Sequence, residues 1–110
     1  MTRRLLLALP LLAIAGAAQA QCDTRFDFLN RTSRTVNEIY FDSSSNPNWT
    51  RDELGRDVLP SGQARRFRAA YTGNYDFRVV LDNGRAMELR QINICTTSRI
   101  IATDNGLRAE

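Results

Sequence analysis

Apolar and polar residues alternate in short runs from residue 24 onward, and turn-forming residues separate these runs. Period-two alternation is typical of β-strands with one buried face. In the first run Phe26 and Phe28 share a face, and a loop rich in Ser and Asn follows the second. The pattern predicts strands at 24–30, 35–41, 63–69 and 99–102.

A β-hairpin is predicted around the loop formed by Asp82, Asn83 and Gly84. A three-residue loop with Gly84 in the left-handed conformation makes both faces of the hairpin chemically consistent. One face is then apolar and the other carries opposite charges. The predicted pairs are Val79–Met87, Phe77–Leu89, Arg78–Glu88 and Asp76–Arg90. The shift of the apolar phase after Gln91 predicts either a bulge or the start of burial on both faces before Cys95.

The remaining pattern predicts an all-β domain, a small antiparallel β-sandwich or barrel of about six strands. Thr50 and Glu53 have the spacing of a capping box, and Gly55 follows, so one short helical turn is expected over 50–55. A central strand is expected to end at Cys95. Residues 103–110 are expected to form a frayed tail.

Residues 1–20 have the composition of a cleavable signal peptide, with Arg3 and Arg4 before an apolar run and a small-x-small pattern at 18–20. The apolar run is shorter than the roughly 20 residues that a membrane-spanning helix needs. The sequence therefore predicts a signal peptide over 1–20 and a single periplasmic or secreted domain over 21–110, with no retained membrane anchor. The general secretory route and the twin-arginine route both stay open.

The chain contains two cysteines, Cys22 and Cys95, and no histidine. In a small exported domain such a pair predicts one disulfide, with an intermolecular bridge or free thiols as alternatives. The lack of a Cys-x-x-Cys motif and of histidine disfavours a redox enzyme and a zinc site. We therefore expect no metal and no cofactor.

All basic side chains are arginine, and residues 21–110 carry 13 of them against 12 carboxylates. This near balance disfavours nucleic acid as a partner. Arg65, Arg66 and Arg68 nevertheless form a local cluster in which Arg66 and Arg68 share one face of the predicted strand. The cluster is a candidate anion-binding site; the alternative is a charged edge strand that resists aggregation.

Trp49 and Tyr71 are candidate contacts for a partner, although a single tryptophan in a small domain often packs into the core. A group of carboxylates lies near Trp49 in sequence, formed by Asp52, Glu53 and Asp57. A pair of carboxylates can catalyse glycoside hydrolysis. The alternative, that these acids cap a turn and solvate a loop, is favoured by the local spacing. No catalytic residue is assigned.

A set of residues spread over the domain resembles a family of short exported proteobacterial proteins that carry signal-peptide or twin-arginine labels. The residues are Asn30, Thr32, Ile39, Tyr40, Trp49, Asp52, Leu54, Gly62, Tyr75, Asp76, Arg78 and Gly84. Similar proteins often carry a further cysteine where this chain has Asn74. The resemblance implies export and implies no particular activity.

These features predict a non-enzymatic exported β domain that binds a protein or another envelope component. An accessory role fits this class, and so does inhibition of a secreted hydrolase. The first alternative is a polyanion-binding module that uses Arg65, Arg66 and Arg68. The second is a carboxylate hydrolase that uses Asp52 and Asp57.

Overall fold

The computed structural model describes residues 22–110, and the expected signal peptide lies outside them. This part of the chain is nearly all β and contains one short 3-10 turn, which confirms the predicted fold class. In chain order the elements are β1 (Arg25–Arg31), β2 (Val36–Ser43), β3 (Ala64–Arg68), β4 (Asn74–Leu81), β5 (Ala86–Asn93), the turn Ile94–Thr96, β6 (Arg99–Thr103) and β7 (Gly106–Ala109). No helix among these residues is long and apolar enough to cross a membrane.

The strands form two sheets that pack as a sandwich. Sheet A has the order β3-β1-β6-β7, and sheet B has the order β2-β4-β5. All neighbouring strands are antiparallel except β1 and β6, which are parallel. This parallel pair joins the beginning of the domain to its end, a connection that local sequence patterns do not reveal.

Aromatic side chains from both sheets fill the core. The ring of Phe26 from β1 makes edge-to-face contacts with Phe41 and Phe77 of sheet B, at centroid distances of 5.1 and 5.5 Å. Phe67 of β3 packs on Phe41 at 5.4 Å. Phe26 and Phe77 lie on the faces that the alternation in β1 and the predicted hairpin assigned to the core.

The hairpin of β4 and β5 confirms the predicted three-residue loop. The Leu81 N–H donates to Arg85 O at 2.8 Å, and the Gly84 N–H donates to Leu81 O at 2.9 Å. Gly84 has φ +85°, which suits a residue without a Cβ. The register pairs Phe77 with Leu89, Arg78 with Glu88 and Val79 with Met87.

A bulge lies where the apolar phase of β5 was predicted to shift. The ladder slips between Tyr75 and Phe77, and Gln91 on the opposite strand has φ +62°. The Gln91 N–H donates to Asp76 Oδ1 at 2.9 Å, so a side chain satisfies the backbone group that the bulge removes from the ladder. Arg90 reaches Asp76 at 3.1 Å, although the bulge prevents direct register.

The predicted helical turn over 50–55 is wrong: residues 53–56 form tight turns, and the Glu53 N–H donates to Ile39 O of β2. Thr50 does not cap the segment, because its hydroxyl donates to Asp42 at 2.6 Å. Asp52 Oδ1 instead accepts the N–H groups of Leu54 and Ile39, at 2.9 and 3.0 Å. The 3-10 turn of residues 22–110 lies at Ile94–Thr96, where Asn93 accepts the Cys95 N–H.

The predicted frayed tail is also wrong, since residues 106–109 form β7 at the edge of sheet A. The Ser98 N–H donates to Glu110 O at 2.7 Å, and the Glu110 N–H donates to Arg99 O at 2.9 Å. Cys95 does not end a central strand either. It belongs to the 3-10 turn after β5, an edge strand of sheet B.

The predicted disulfide is present between Cys22 and Cys95, with a Cα–Cα distance of 5.5 Å. It joins the segment before β1 to the turn that leads from sheet B into β6. A covalent link between these points fixes the start of the central strand of sheet A relative to the other sheet.

Asn30 of β1 is a fully buried polar residue. Its amide nitrogen donates to the carbonyl oxygens of Arg34 and Leu59, each at 2.9 Å. Its side-chain oxygen accepts the N–H and hydroxyl of Thr32, at 3.0 and 2.7 Å. Asn30 therefore ties β1 to two loops.

Replacement of Cys95 by Ser should lower the free energy of unfolding by about 4 kcal/mol, because the bridge closes a loop of 73 residues. Urea denaturation of the oxidised protein and the Cys95→Ser variant measures this loss. Reduced wild-type protein is the matched control and should behave like the variant. A loss below about 1 kcal/mol would contradict this estimate and would mean that the unfolded chain is already compact without the bridge.

Asn30→Ala should destabilise the domain by about 3 kcal/mol or more, since it leaves several buried backbone groups without partners. Asn48→Ala is the matched control, because Asn48 is exposed and is also the first residue of an Asn-x-Thr triplet. Thermal and urea unfolding should separate the two variants clearly. Equal stability losses would contradict the assigned role of Asn30.

Candidate functional site

The arginine cluster of β3 divides between the two faces of sheet A. Arg66 and Arg68 share the outer face, as predicted, while Arg65 lies on the side of Phe67. The Arg65 guanidinium lies 5.4 Å from the centre of the Phe67 ring and 3.5 Å from Asp57. The three cations therefore do not converge on one point.

Arg66 and Arg68 differ in their partners. Arg66 forms two hydrogen bonds with Asp27 on β1, at 2.9 and 3.3 Å. These bonds lower the pKa of Asp27 and raise the pKa of Arg66. Arg68 has no ion-pair partner among residues 22–110 and lies opposite Arg25 in the ladder. Arg68 is thus an exposed guanidinium with free hydrogen-bond donors.

The outer face of sheet A carries more arginines than the β3 cluster alone. Strand register places six of them there, and we call this surface the basic face: Arg25, Arg31, Arg66, Arg68, Arg99 and Arg108. Three carboxylates pair with these arginines: Asp23, Asp27 and Glu110. The charges of the six arginines and their three paired carboxylates thus sum to +3. The charges of all other side chains in 22–110 sum to −2.

Tyr71 lies at the rim of the basic face, in the loop after β3, and its side chain is 75% exposed. The Tyr71 N–H donates to the Tyr75 hydroxyl at 3.0 Å, and that hydroxyl donates to Tyr71 O at 3.1 Å. Because Tyr75 is buried, these two bonds hold the backbone of the exposed residue in place. The exposed Tyr71 side chain is therefore carried by a loop whose backbone is restrained.

Two grooves flank Tyr71, with volumes of about 320 and 520 Å³. Arg68, Ala70 and Tyr71 line both of them. The first groove extends towards Phe41 of β2, and the second reaches Cys22 at the disulfide. Arg68 and Tyr71 thus stand together between two depressions that could take the side chains of a partner.

Trp49 occupies a different surface, the outer face of sheet B. It is half-buried, and the Arg90 guanidinium lies 5.1 Å from the centre of its ring. Tyr40 is the nearest aromatic neighbour, with 6.3 Å between the ring centres. Arg90 also bonds to Glu88 at 2.5 Å, so Trp49 is part of an ordered charged network. The structure does not join Trp49 to the basic face.

Asp52 and Asp57 each have a local structural partner. Asp52 accepts two backbone N–H groups from Ile39 and Leu54, and Asp57 forms an exposed ion pair with Arg65. Nothing in this geometry pairs the two carboxylates for hydrolysis. Within the described residues, no group of three or more His, Cys, Asp or Glu side chains could hold a metal ion.

Sequence reasoning missed Arg25, Arg31, Arg99 and Arg108 as members of one surface. The alternation within β1 contained part of the signal, because Arg25 and Arg31 fall on the face opposite Phe26. The contribution of Arg99 and Arg108 depends on the parallel pairing of β6 with β1 and on the existence of β7. Neither feature has a local sequence signature.

Comparison with known proteins adds no assignment: no family model, curated protein or solved structure matches this chain. The resemblance to exported proteobacterial proteins stays a prediction. The function must be inferred from the surface itself.

Acid should destabilise the domain partly through the network around Arg90. Burial would raise the pKa of Asp76, but hydrogen bonds from Gln91, Ser44 and Arg90 outweigh it and lower that pKa. Bonds from Arg90 and Arg78 also lower the pKa of Glu88. A lowered folded-state pKa gives stability that is present above the unfolded pKa and lost as the pH falls through the folded value.

The free energy of unfolding should therefore fall as the pH drops below about 4, and Asp76→Asn should make this acid slope shallower. Urea titrations from pH 7 to pH 2 measure the slope. Asp57→Asn is the control for net charge, because Asp57 is exposed. An unchanged slope in Asp76→Asn would contradict the role of the buried carboxylate.

Proposed function

We propose that this protein is an exported, non-enzymatic binding module that recognises an acidic protein partner through its basic face. The observation that carries the proposal is the separation of charge, with +3 on one sheet face and −2 on the other residues of 22–110. A cationic surface attracts an acidic partner and increases the rate of encounter. The disulfide supports an oxidising compartment such as the periplasm or the exterior.

Folding stability alone does not account for so many arginines on one face. The side chains of Arg25, Arg66 and Arg108 are 50, 66 and 53% exposed. Ion pairs in such positions contribute about 0–1 kcal/mol each. Arg31 and Arg68 have no carboxylate partner within 22–110, so a stabilising ion pair does not explain them. Recognition of an external anionic group gives these residues a role.

The arrangement favours a protein over a uniform polyanion. Carboxylates interrupt the basic face, since Asp27 lies between Arg66 and Arg99 in the sheet. A phosphate or sulfate polymer would meet these negative charges as it crossed the sheet, whereas a protein surface can match an alternating pattern. Arg65 lies on the opposite side of β3 and does not extend the face.

Arg68 and Tyr71 are the expected centre of the contact. Tyrosine and arginine are enriched among residues that dominate binding energy in protein interfaces. The restrained backbone of Tyr71 reduces the entropy lost when a partner orders the loop. The grooves on both sides of Tyr71 provide depressions into which side chains of a partner can pack.

A photo-crosslinking amino acid at position 71 should give a discrete protein adduct in the native host, and the same group at position 58 should not. Val58 is the matched site, because it is a large apolar residue that is 50% exposed. Denaturing gels and mass spectrometry of the adducts measure the result. Equal adducts at both positions would contradict the proposed surface.

Arg68→Glu should remove most of the adduct at position 71, and raised salt should weaken it, because the contact is electrostatic. Arg56→Glu changes the net charge equally at an exposed loop residue and should leave the adduct intact. Salt-sensitive retention on heparin without any protein adduct would favour the polyanion alternative instead. An adduct insensitive to Arg68→Glu would remove the basic face from the interface.

A further inference from the structure

Strand β3 is an edge strand whose outer backbone groups are free. It is the first strand in the order of sheet A and pairs only with β1. The Asn30 N–H donates to Gln63 O, and the Ala69 N–H donates to Thr24 O, so residues 63 and 69 face β1. In an antiparallel pair the direction alternates with each residue. The N–H and C=O groups of Ala64, Arg66 and Arg68 therefore point away from the sheet.

The exposed edge has no hydrogen-bond partner within residues 22–110. No hydrogen bond to the backbone N–H or C=O groups of Ala64, Arg66 and Arg68 comes from any other described residue. All three residues are exposed. Water satisfies such groups in the free protein, and an added strand could replace that water.

The other edges of the two sheets are covered or face one another. Val36 of β2 exchanges both backbone hydrogen bonds with Leu59, each at 2.9 Å. Ile39 O accepts the Glu53 N–H at 2.7 Å, so the segment after β2 folds back over its edge. On the opposite side of the sandwich, β5 contacts β7. Strand β3, by contrast, makes no comparable contact with any described strand other than β1.

We propose that β3 accepts an extended acidic segment of a protein partner as a fifth strand of sheet A. This inference rests on the proposed function and specifies how the partner binds. Main-chain hydrogen bonds to Ala64, Arg66 and Arg68 supply affinity, and side-chain pairing supplies selectivity. Acidic residues on one face of the added strand meet Arg66 and Arg68, and its other face meets Phe67 and Arg65.

The positive charge of β3 determines which kind of strand can pair with its edge. A second copy of this chain is disfavoured, because edge-to-edge pairing would bring three arginines of each copy together. With an acidic segment, each of these repulsive arginine–arginine contacts is replaced by an attractive contact between arginine and carboxylate. The same arginines that prevent self-association therefore admit a partner of opposite charge.

The test uses a blocked synthetic peptide of alternating Glu and Val residues and residue-resolved amide hydrogen exchange of the oxidised protein. In the free protein the amides of Ala64, Arg66 and Arg68 should exchange much faster than those of Arg65 and Phe67. At about 90% occupancy by the peptide, the three fast amides should slow about tenfold. The amides of Arg65 and Phe67 report whether the strand stays folded.

Two controls separate strand addition from simple charge attraction. A peptide of the same sequence with every backbone nitrogen methylated keeps the charges but cannot extend the ladder, and it should protect none of the three amides. Arg68→Glu should weaken binding of the unmethylated peptide at least several-fold, and Arg56→Glu should not. The three amides are therefore expected to stay fast in two cases: in Arg68→Glu with the unmethylated peptide, and in the wild-type protein with the methylated peptide.

Equal binding of both peptides, or binding without protection of Ala64, Arg66 and Arg68, would overturn strand addition. A failure of the acidic peptide to bind at all would also overturn it. The adduct at position 71 distinguishes this failure from failure of the binding role. If the adduct persists and remains sensitive to Arg68→Glu, the basic face binds its partner through side chains alone.

Discussion

The parallel pairing of β1 with β6 is the constraint on which the rest of the structure depends. It places Phe28 beside Ile100 on the core side and Asp27 beside Arg99 on the outer side. It also leaves one side of β1 for β3 and one side of β6 for β7. The core, the basic face and the free edge all follow from this single pairing.

Local features of the fold could be predicted from sequence because their determinants lie within a few residues of one another. The hairpin register follows from Gly84 and from facing side chains, and the bulge at Gln91 follows from a shift in apolar phase. The disulfide could be predicted because the chain has one pair of cysteines and an export-like leader.

The wrong predictions concern segments whose structure depends on distant partners. Thr50 and Glu53 have the spacing of a helix cap, but Asp42 takes the Thr50 hydroxyl and Ile39 takes the Glu53 N–H. The last residues have a weak pattern and form β7 because β6 offers an open edge. Tertiary hydrogen bonds outweigh local propensity in both places.

The candidate site shows the same division. A run of arginines in β3 was visible in the sequence, and so was the shared face of Arg66 and Arg68. The extension of that face across four strands was not visible, because it depends on sheet order. Tyr71 was a candidate contact in the sequence, but the restraint of its loop was not visible, because it depends on two hydrogen bonds with buried Tyr75.

The distance along the chain between β1 and β6 has a consequence for folding. The two paired strands are about 70 residues apart, so sheet A cannot assemble until both segments are available. Contacts between such distant residues slow folding, because a long loop must close before they form. Sheet A therefore forms later than the β4–β5 hairpin, whose paired residues lie close together in sequence. The arginines of the basic face stay far apart until that step, so a partly folded chain lacks the surface that the complete domain presents.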